Sequence, residues 1–178
     1  MLKRRNVQRG ILSATLLLAS LLLGACAAEQ SKRLGAPIEG YNHTSAAINS
    51  YSVNGSGGPN LSPYHGGGSQ TCCASLPVKW QPGLTVIVEW EKDPNVGASR
   101  NWPEPMFSDA WRKRMALHKA GYTRHRAVVE VAPYEALGVV TVHFLPCDEV
   151  KVAAGATRPN LATHPYKYPL RMEEPSKC

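Results

Sequence analysis

The 178-residue chain predicts a mainly β fold: an antiparallel β-sandwich-like domain with one helical insertion, placed after a lipoprotein signal peptide. Three observations lead there. Short apolar runs alternate with polar residues and stop at turn residues. A single segment carries helix start and stop signals. Nowhere does strand alternate with helix in the way a parallel sheet requires.

The N-terminal residues set the topology. Lys3, Arg4, Arg5 and Arg9 accompany an apolar run from Ile11 to Leu23, too short for a good permanent membrane helix and suited to a secretory h-region. The run ends in Leu23-Gly24-Ala25-Cys26, the small-residue pattern that lipoprotein-processing enzymes read. Small side chains fit the peptidase cleft, and the Cys26 thiol is the nucleophile there that can form a diacylglycerol thioether. The expected organisation is therefore a signal peptide over 1–25, a lipidated tether over 26–40, and one periplasmic, mostly β domain over 41–178 with an irregular C-terminal tail. Ala27, standing where an Asp would signal inner-membrane retention, points to the periplasmic face of the outer membrane. A flexible tether of this size spans about 20 Å.

Each element of the domain has its own signal. Ala47–Val53 alternates and stops at Asn54-Gly55, a strong hairpin-turn pair. A glycine-rich stretch from Gly55 to Ser69 follows, then a short extended segment over Ala74–Trp80. Leu84–Glu91 is the clearest strand: Leu84, Val86, Val88 and Trp90 face one way and Thr85, Ile87, Glu89 and Glu91 the other. After a proline-rich loop, Ser108 caps a predicted helix that runs to about Ala120 and stops at Gly121, with Trp111, Met115 and His118 on one face. Strands over 126–132, 138–145 and 149–152 complete the set. The remainder, with Pro159, Pro165, Pro169 and Pro175, reads as irregular chain laid over the surface.

Charge and cysteine content narrow the class. Twenty basic residues against 13 acidic give +7, but residues 1–25 hold four of the basic ones and no acid. The mature chain keeps 16 against 13, or +3, so a nucleic-acid partner is not implied. Four cysteines follow Cys26: Cys72, Cys73, Cys147 and Cys178. In an oxidising compartment they read as disulfides before they read as metal ligands. A Cys72–Cys73 bridge between neighbours would be strained, which leaves two pairings in which each of them joins Cys147 or Cys178.

No catalytic apparatus stands out, and no cofactor, metal or small-molecule substrate is expected. Gly66-Gly67-Gly68 lacks the Gly-Lys-Ser/Thr and helix of a phosphate loop, so a flexible turn is the better reading. There is no Gly-x-Ser-x-Gly elbow. The six histidines are scattered without a ligand spacing, and His143 reads as a hydrogen-bonded strand residue. Zinc at Cys72-Cys73 with His65 is the less favoured reading of those cysteines. Glu89 and Glu91 read as exposed acids on one sheet face. One stretch is distinctive. From Arg100 to Arg126 there are seven basic residues against Glu104 and Asp109 alone. A solvated helix surface is the favoured reading of this charge. Against it, aromatic residues stand beside arginines, which makes Trp102, Phe107, Trp111, Arg112 and Arg114 the candidate partner-binding residues, facing an acidic protein surface or anionic headgroups.

A set of ordered motifs carries a family resemblance. It runs Gly40-Tyr41-Asn42-His43-Thr44, Val53-Asn54-Gly55, Gly66-Gly67-Gly68 leading to Cys72-Cys73, Leu76-Pro77, Trp80-x-Pro82-Gly83-Leu84, and Val142-His143-Phe144-Leu145-Pro146. From Tyr41 to Val152 the chain resembles domain-of-unknown-function bacterial lipoproteins linked to type VI secretion, among them type VI lipase immunity proteins. The resemblance implies a non-enzymatic, membrane-anchored protein whose partner is a secreted phospholipase effector. The alternative is an envelope accessory lipoprotein with a structural or assembly role in a secretion complex. A third reading is a periplasmic enzyme or small-ligand binder built around the glycine-rich loop and Cys72-Cys73.

Overall fold

The computed structural model describes residues 32–178. The expected signal peptide over 1–25, the expected lipidation site Cys26 and the expected tether up to residue 31 lie outside the described residues. In chain order the strands are β1 (Arg33–Asn42), β2 (Ala47–Val53), β3 (Ser56–Gly57), β4 (His65–Gly66), β5 (Thr71–Pro77) and β6 (Thr85–Asp93). The helix α1 (Asp109–Lys119) follows, then β7 (Thr123–Glu130), β8 (Leu137–Phe144) and β9 (Val150–Gly155). The molecule is mainly β, a sandwich of two antiparallel-rich sheets with one helical insertion. No helix among the described residues is long and apolar enough to cross a membrane.

The first sheet runs β4-β1-β8-β9, with β5 also pairing β1. The second runs β3-β2-β6-β7. Inward side chains from both form one core, with Ile38, Val140, Val142, Phe144 and Val152 from the first sheet and Ile48, Tyr51, Val53, Val86, Val88 and Trp90 from the second. The alternation of β6 falls as its sequence requires: Val86, Val88 and Trp90 are buried between more exposed neighbours. Tyr51 and Trp90 both pack edge-on or tilted against Phe144, which joins the two layers.

Residues 33–40, expected as tether, instead form most of β1. Ala36, Ile38, Gly40 and Asn42 alternate inward and are all buried. Gly35, Pro37 and Gly40 break the apolar pattern and hide that alternation in the sequence. β1 is central: β5 and β4 pair it in antiparallel fashion, while β8 pairs it in parallel, Ile38 opposite Val140 through Asn42 opposite Phe144. A parallel pair needs a long connection, and here the whole second sheet lies between the two strands in sequence.

Local chemistry sets the other boundaries. The β2–β3 turn places Asn54 and Gly55 both at positive φ, 50° and 82°, the hairpin geometry that the Asn-Gly pair favours. β2 is not a simple alternation. Its register to β6 shifts between Ile48 and Ser50, so the extra residue Asn49 moves Tyr51 and Val53 into phase with the core. β5 covers Thr71–Pro77 rather than Ala74–Trp80, and β7 starts at Thr123 because it pairs β6 along its full length.

The disulfides are Cys72–Cys73 and Cys147–Cys178, which corrects both expected pairings. The peptide between Cys72 and Cys73 is cis. Sheet register explains why neither crossed pairing forms. Cys72 and Cys73 lie where β5 passes Pro37, between the Ala36–Ala74 and Ile38–Thr71 pairs. Cys147 lies beyond Phe144, which pairs Asn42 at the C-terminal end of β1, five residues from Pro37. Five residues of strand span about 16 Å, and disulfide Cα atoms stay within about 7 Å.

After β9 the chain has no regular structure. This strap crosses the outer face of the first sheet. The Met172 N–H donates to the His43 carbonyl at 2.9 Å, and the Arg171 guanidinium sits 4.0 Å over the Tyr64 ring. Glu174 accepts from the Cys147 N–H at 2.9 Å, and Cys178 closes the strap covalently.

Candidate functional site

Among the described residues, two regions hold the candidate chemistry. The first is the helical insertion between β6 and β7. Ser108 caps α1, its hydroxyl accepting from the Trp111 N–H at 3.2 Å, and Asp109 in the first turn with Lys119 in the last suits the helix dipole. Trp111, Met115 and His118 form the less exposed side, yet no residue of the helix is buried. The face that does pack meets the preceding loop. Trp102 lies edge-on to Trp111 and to His118, and Phe107 edge-on to Trp111. His118 Nε2 lies 3.2 Å from a carboxylate oxygen of Asp93 at the end of β6.

The structure therefore brings Trp102, Phe107 and Trp111 together as one aromatic cluster. Arg114 joins it, 2.6 Å from Glu104 and with its guanidinium 5.8 Å from the Trp102 ring centroid. Arg112 stands on the exposed side near Asp109. Around them are side chains that the sequence reading left out. Met106 is 69% exposed and Leu117 70%, beside the candidate Phe107 at 63%. Phe107 also adopts φ 66°, an unusual conformation for a bulky residue. A shallow groove between loop and helix is lined by Trp102, Glu104, Lys113, Arg114, Leu117 and His118.

The second region lies under the strap. His43 follows β1, His143 belongs to β8 and His164 comes from the strap; all three are buried. Tyr41 and His43 stack on His143, and Tyr166 and Tyr168 close over it edge-on. His143 is hydrogen-bonded through Nδ1 to His43 Nε2 at 2.9 Å. Burial, followed by the neighbouring His43 and His164, pushes its pKa down to about 3. Burial also lowers that of His43, against the pull of a backbone acceptor at Pro169. Linear spacing gives no hint of this assembly. A period of two does: Tyr41 and His43 share one strand face, and His164, Tyr166 and Tyr168 repeat the pattern in the strap.

Other sequence candidates resolve into structure. With Cys72 and Cys73 joined, their thiols are not ligands, and His65 pairs its backbone with Asn42. Glu89 and Glu91 each face an arginine across the strand pair, Arg126 at 3.4 Å and Arg124 at 3.1 Å. The glycine stretch serves packing at Gly66, where a Cβ would lie 2.5 Å from the Tyr41 ring. Cys147, Glu174 and Cys178 cluster at the surface, but both sulfurs are in the disulfide.

No curated protein and no solved structure matches the chain. A family model described as protein of unknown function (DUF3304) matches residues 41–152, from the end of β1 to the middle of β9. The chain belongs to that family of proteins of unknown function, DUF3304.

Proposed function

We propose that this chain is a lipid-anchored envelope protein that binds and neutralises a secreted phospholipase, acting as an immunity protein. The observation that carries the reading is the insertion. It holds exposed Met106 and Phe107 on the loop before α1, and Leu117 with Arg112 and Lys113 on the helix itself, which the sandwich does not bury. Aromatic and apolar anchors ringed by arginines are the composition of binding hot spots. The family resemblance supplies the partner class, and a lipid on Cys26 would hold the inhibitor at the surface such an enzyme attacks.

The test is capture from host lysate by the full-length protein in detergent, at moderate salt, followed by assay of the retained partner. A stoichiometric phospholipase that loses activity when the protein is added supports immunity. Retention of secretion-complex components, with a lipase present and ignored, replaces it with the accessory role. Lipidation has a separate test: a palmitate analogue should label the wild type and not Cys26→Ser.

A further inference from the structure

The proton positions in the buried histidine chain follow from its outermost acceptors. The Pro169 carbonyl can only accept, so its 2.8 Å contact with His43 Nδ1 places a proton there. The neutral ring then presents a bare Nε2, which accepts from His143 Nδ1–H at 2.9 Å. His143 Nε2 is left as a bare lone pair. His164 repeats the arrangement. Its Nδ1 lies within hydrogen-bond distance of both the Tyr166 carbonyl, at 2.8 Å, and the Tyr166 N–H, at 3.2 Å; the tautomer that donates to the shorter contact carries its proton on Nδ1. His164 Nε2 is bare in turn.

Both Nε2 atoms are buried and have no hydrogen-bond partner. The two residues are 1% and 3% exposed, and their ring centroids are 5.5 Å apart. Leaving a buried acceptor unmatched costs about 1–3 kcal/mol, and here two such acceptors are neighbours. We propose that His143 Nε2 and His164 Nε2 together ligate a late first-row transition-metal ion, Cu²⁺ or Zn²⁺, beneath the strap.

The two imidazoles supply two of the ligands such an ion takes, and water or an anion entering with it would supply the rest. Neutral imidazole suits copper and zinc, and copper stands at the top of the divalent affinity order. Metal-bound histidines characteristically donate their other N–H to a carbonyl or similar acceptor, which fixes tautomer and ring plane. His164 does so to Tyr166, and His143 does so to His43, which passes the bond on to Pro169. His43 is thus a positioning residue. Tyr166 and Tyr168 wall the site, their ring centroids each 5.8 Å from that of His143. One ligand comes from β8 and the other from the strap, so the ion would staple the strap to the sheet.

The experiment is calorimetric titration of the full-length protein in detergent, disulfides intact, with CuCl₂ and separately with ZnCl₂. One ion per chain is expected for at least one metal, with a rise in Tm on loading. His164→Ala, in a strap outside the sandwich core, should abolish that binding. His43→Gln should weaken it about 10- to 100-fold, as second-sphere substitutions do. His118→Ala and His65→Ala should leave it unchanged. If His143→Ala fails to fold, His164→Ala decides alone. Absence of saturable binding for both ions overturns the site and leaves an ordered water as the shared donor. One-to-one binding that survives His164→Ala overturns it as well.

Discussion

The helical insertion and the strap-covered face use the same residue types and treat them oppositely. Both combine aromatic rings, histidines and cations. In the insertion, Trp102, Phe107, Trp111 and His118 touch edge to edge, yet none is buried and Leu117 and Met106 point to solvent. Under the strap, His43, His143 and His164 are taken out of water and locked by hydrogen bonds to backbone carbonyls and to each other. The difference is a second layer. The strap is a lid fixed by a disulfide, and the helix has none. Apolar area under the strap already stabilises the fold, whereas the apolar area of the insertion remains available for a partner.

The comparison breaks most directly at the strap's covalent end. Replacing Cys147 and Cys178 together by Ser should cost about 3–4 kcal/mol, the chain-entropy value for a separation of 31 residues. Urea unfolding of the variant measures it, and limited proteolysis should cut first within residues 156–178. Partner binding through the insertion should not change. An unchanged urea midpoint would mean that the strap adds nothing to the sandwich and that the contrast between the two regions is not one of stability.

Acid is the next lever, and it acts on one region alone. His143 titrates near 3 in the folded chain and near 6.5 unfolded, and His43 is shifted in the same direction. The unfolded state therefore binds more protons below pH 6.5. Stability from these groups is complete above that pH and falls as pH drops toward 3. In chelated, metal-free protein the loss from pH 6.5 to 4 should be on the order of 2–4 kcal/mol at 1.36 kcal/mol per pK unit. His143→Gln should flatten that slope in a stability–pH profile. A wild-type profile already flat over the window would place the histidines in water.

How much of this was legible follows the same division. The insertion could be read because its signals are local: Ser108 caps, Gly121 follows the stop, and Trp111, Met115 and His118 recur at helical spacing. β6 could be read because its alternation is unbroken. β1 could not, because Gly35, Pro37 and Gly40 dilute a pattern whose force comes from burial between β5 and β8. The histidine site depends on register: His43 and His143 are 100 residues apart and meet because β1 and β8 run in parallel. The cysteine pairing failed for the same reason. A rule about neighbours excluded Cys72–Cys73, while the sheet had already separated the alternatives by half the length of β1.

Within the insertion, the helix cap sets a smaller effect. Ser108→Ala removes the acceptor for the Trp111 N–H and should cost about 1 kcal/mol of local helix stability. Because the sandwich buries no residue of α1, the loss should appear as faster amide exchange within 109–119 and leave the global urea midpoint in place. A matching fall in global stability would show that the helix unfolds together with the sheets.

The smallest expected effect on stability is the sharpest test of the contrast. Leu117 is 70% exposed, beside Lys113 and Arg114 along the groove. Leu117→Asp removes apolar area that the fold does not bury, so unfolding free energy should stay within about 0.5 kcal/mol. If the insertion is the docking surface, the same change places a carboxylate against an acidic partner and buries it on association, which should weaken binding at least tenfold. Arg112→Ala should act through the association rate and its salt dependence, as rim charges do. A Leu117→Asp protein that keeps both its stability and its partner moves the interface off the helix. One that loses stability shows that the helix is packed more tightly than its exposure implies.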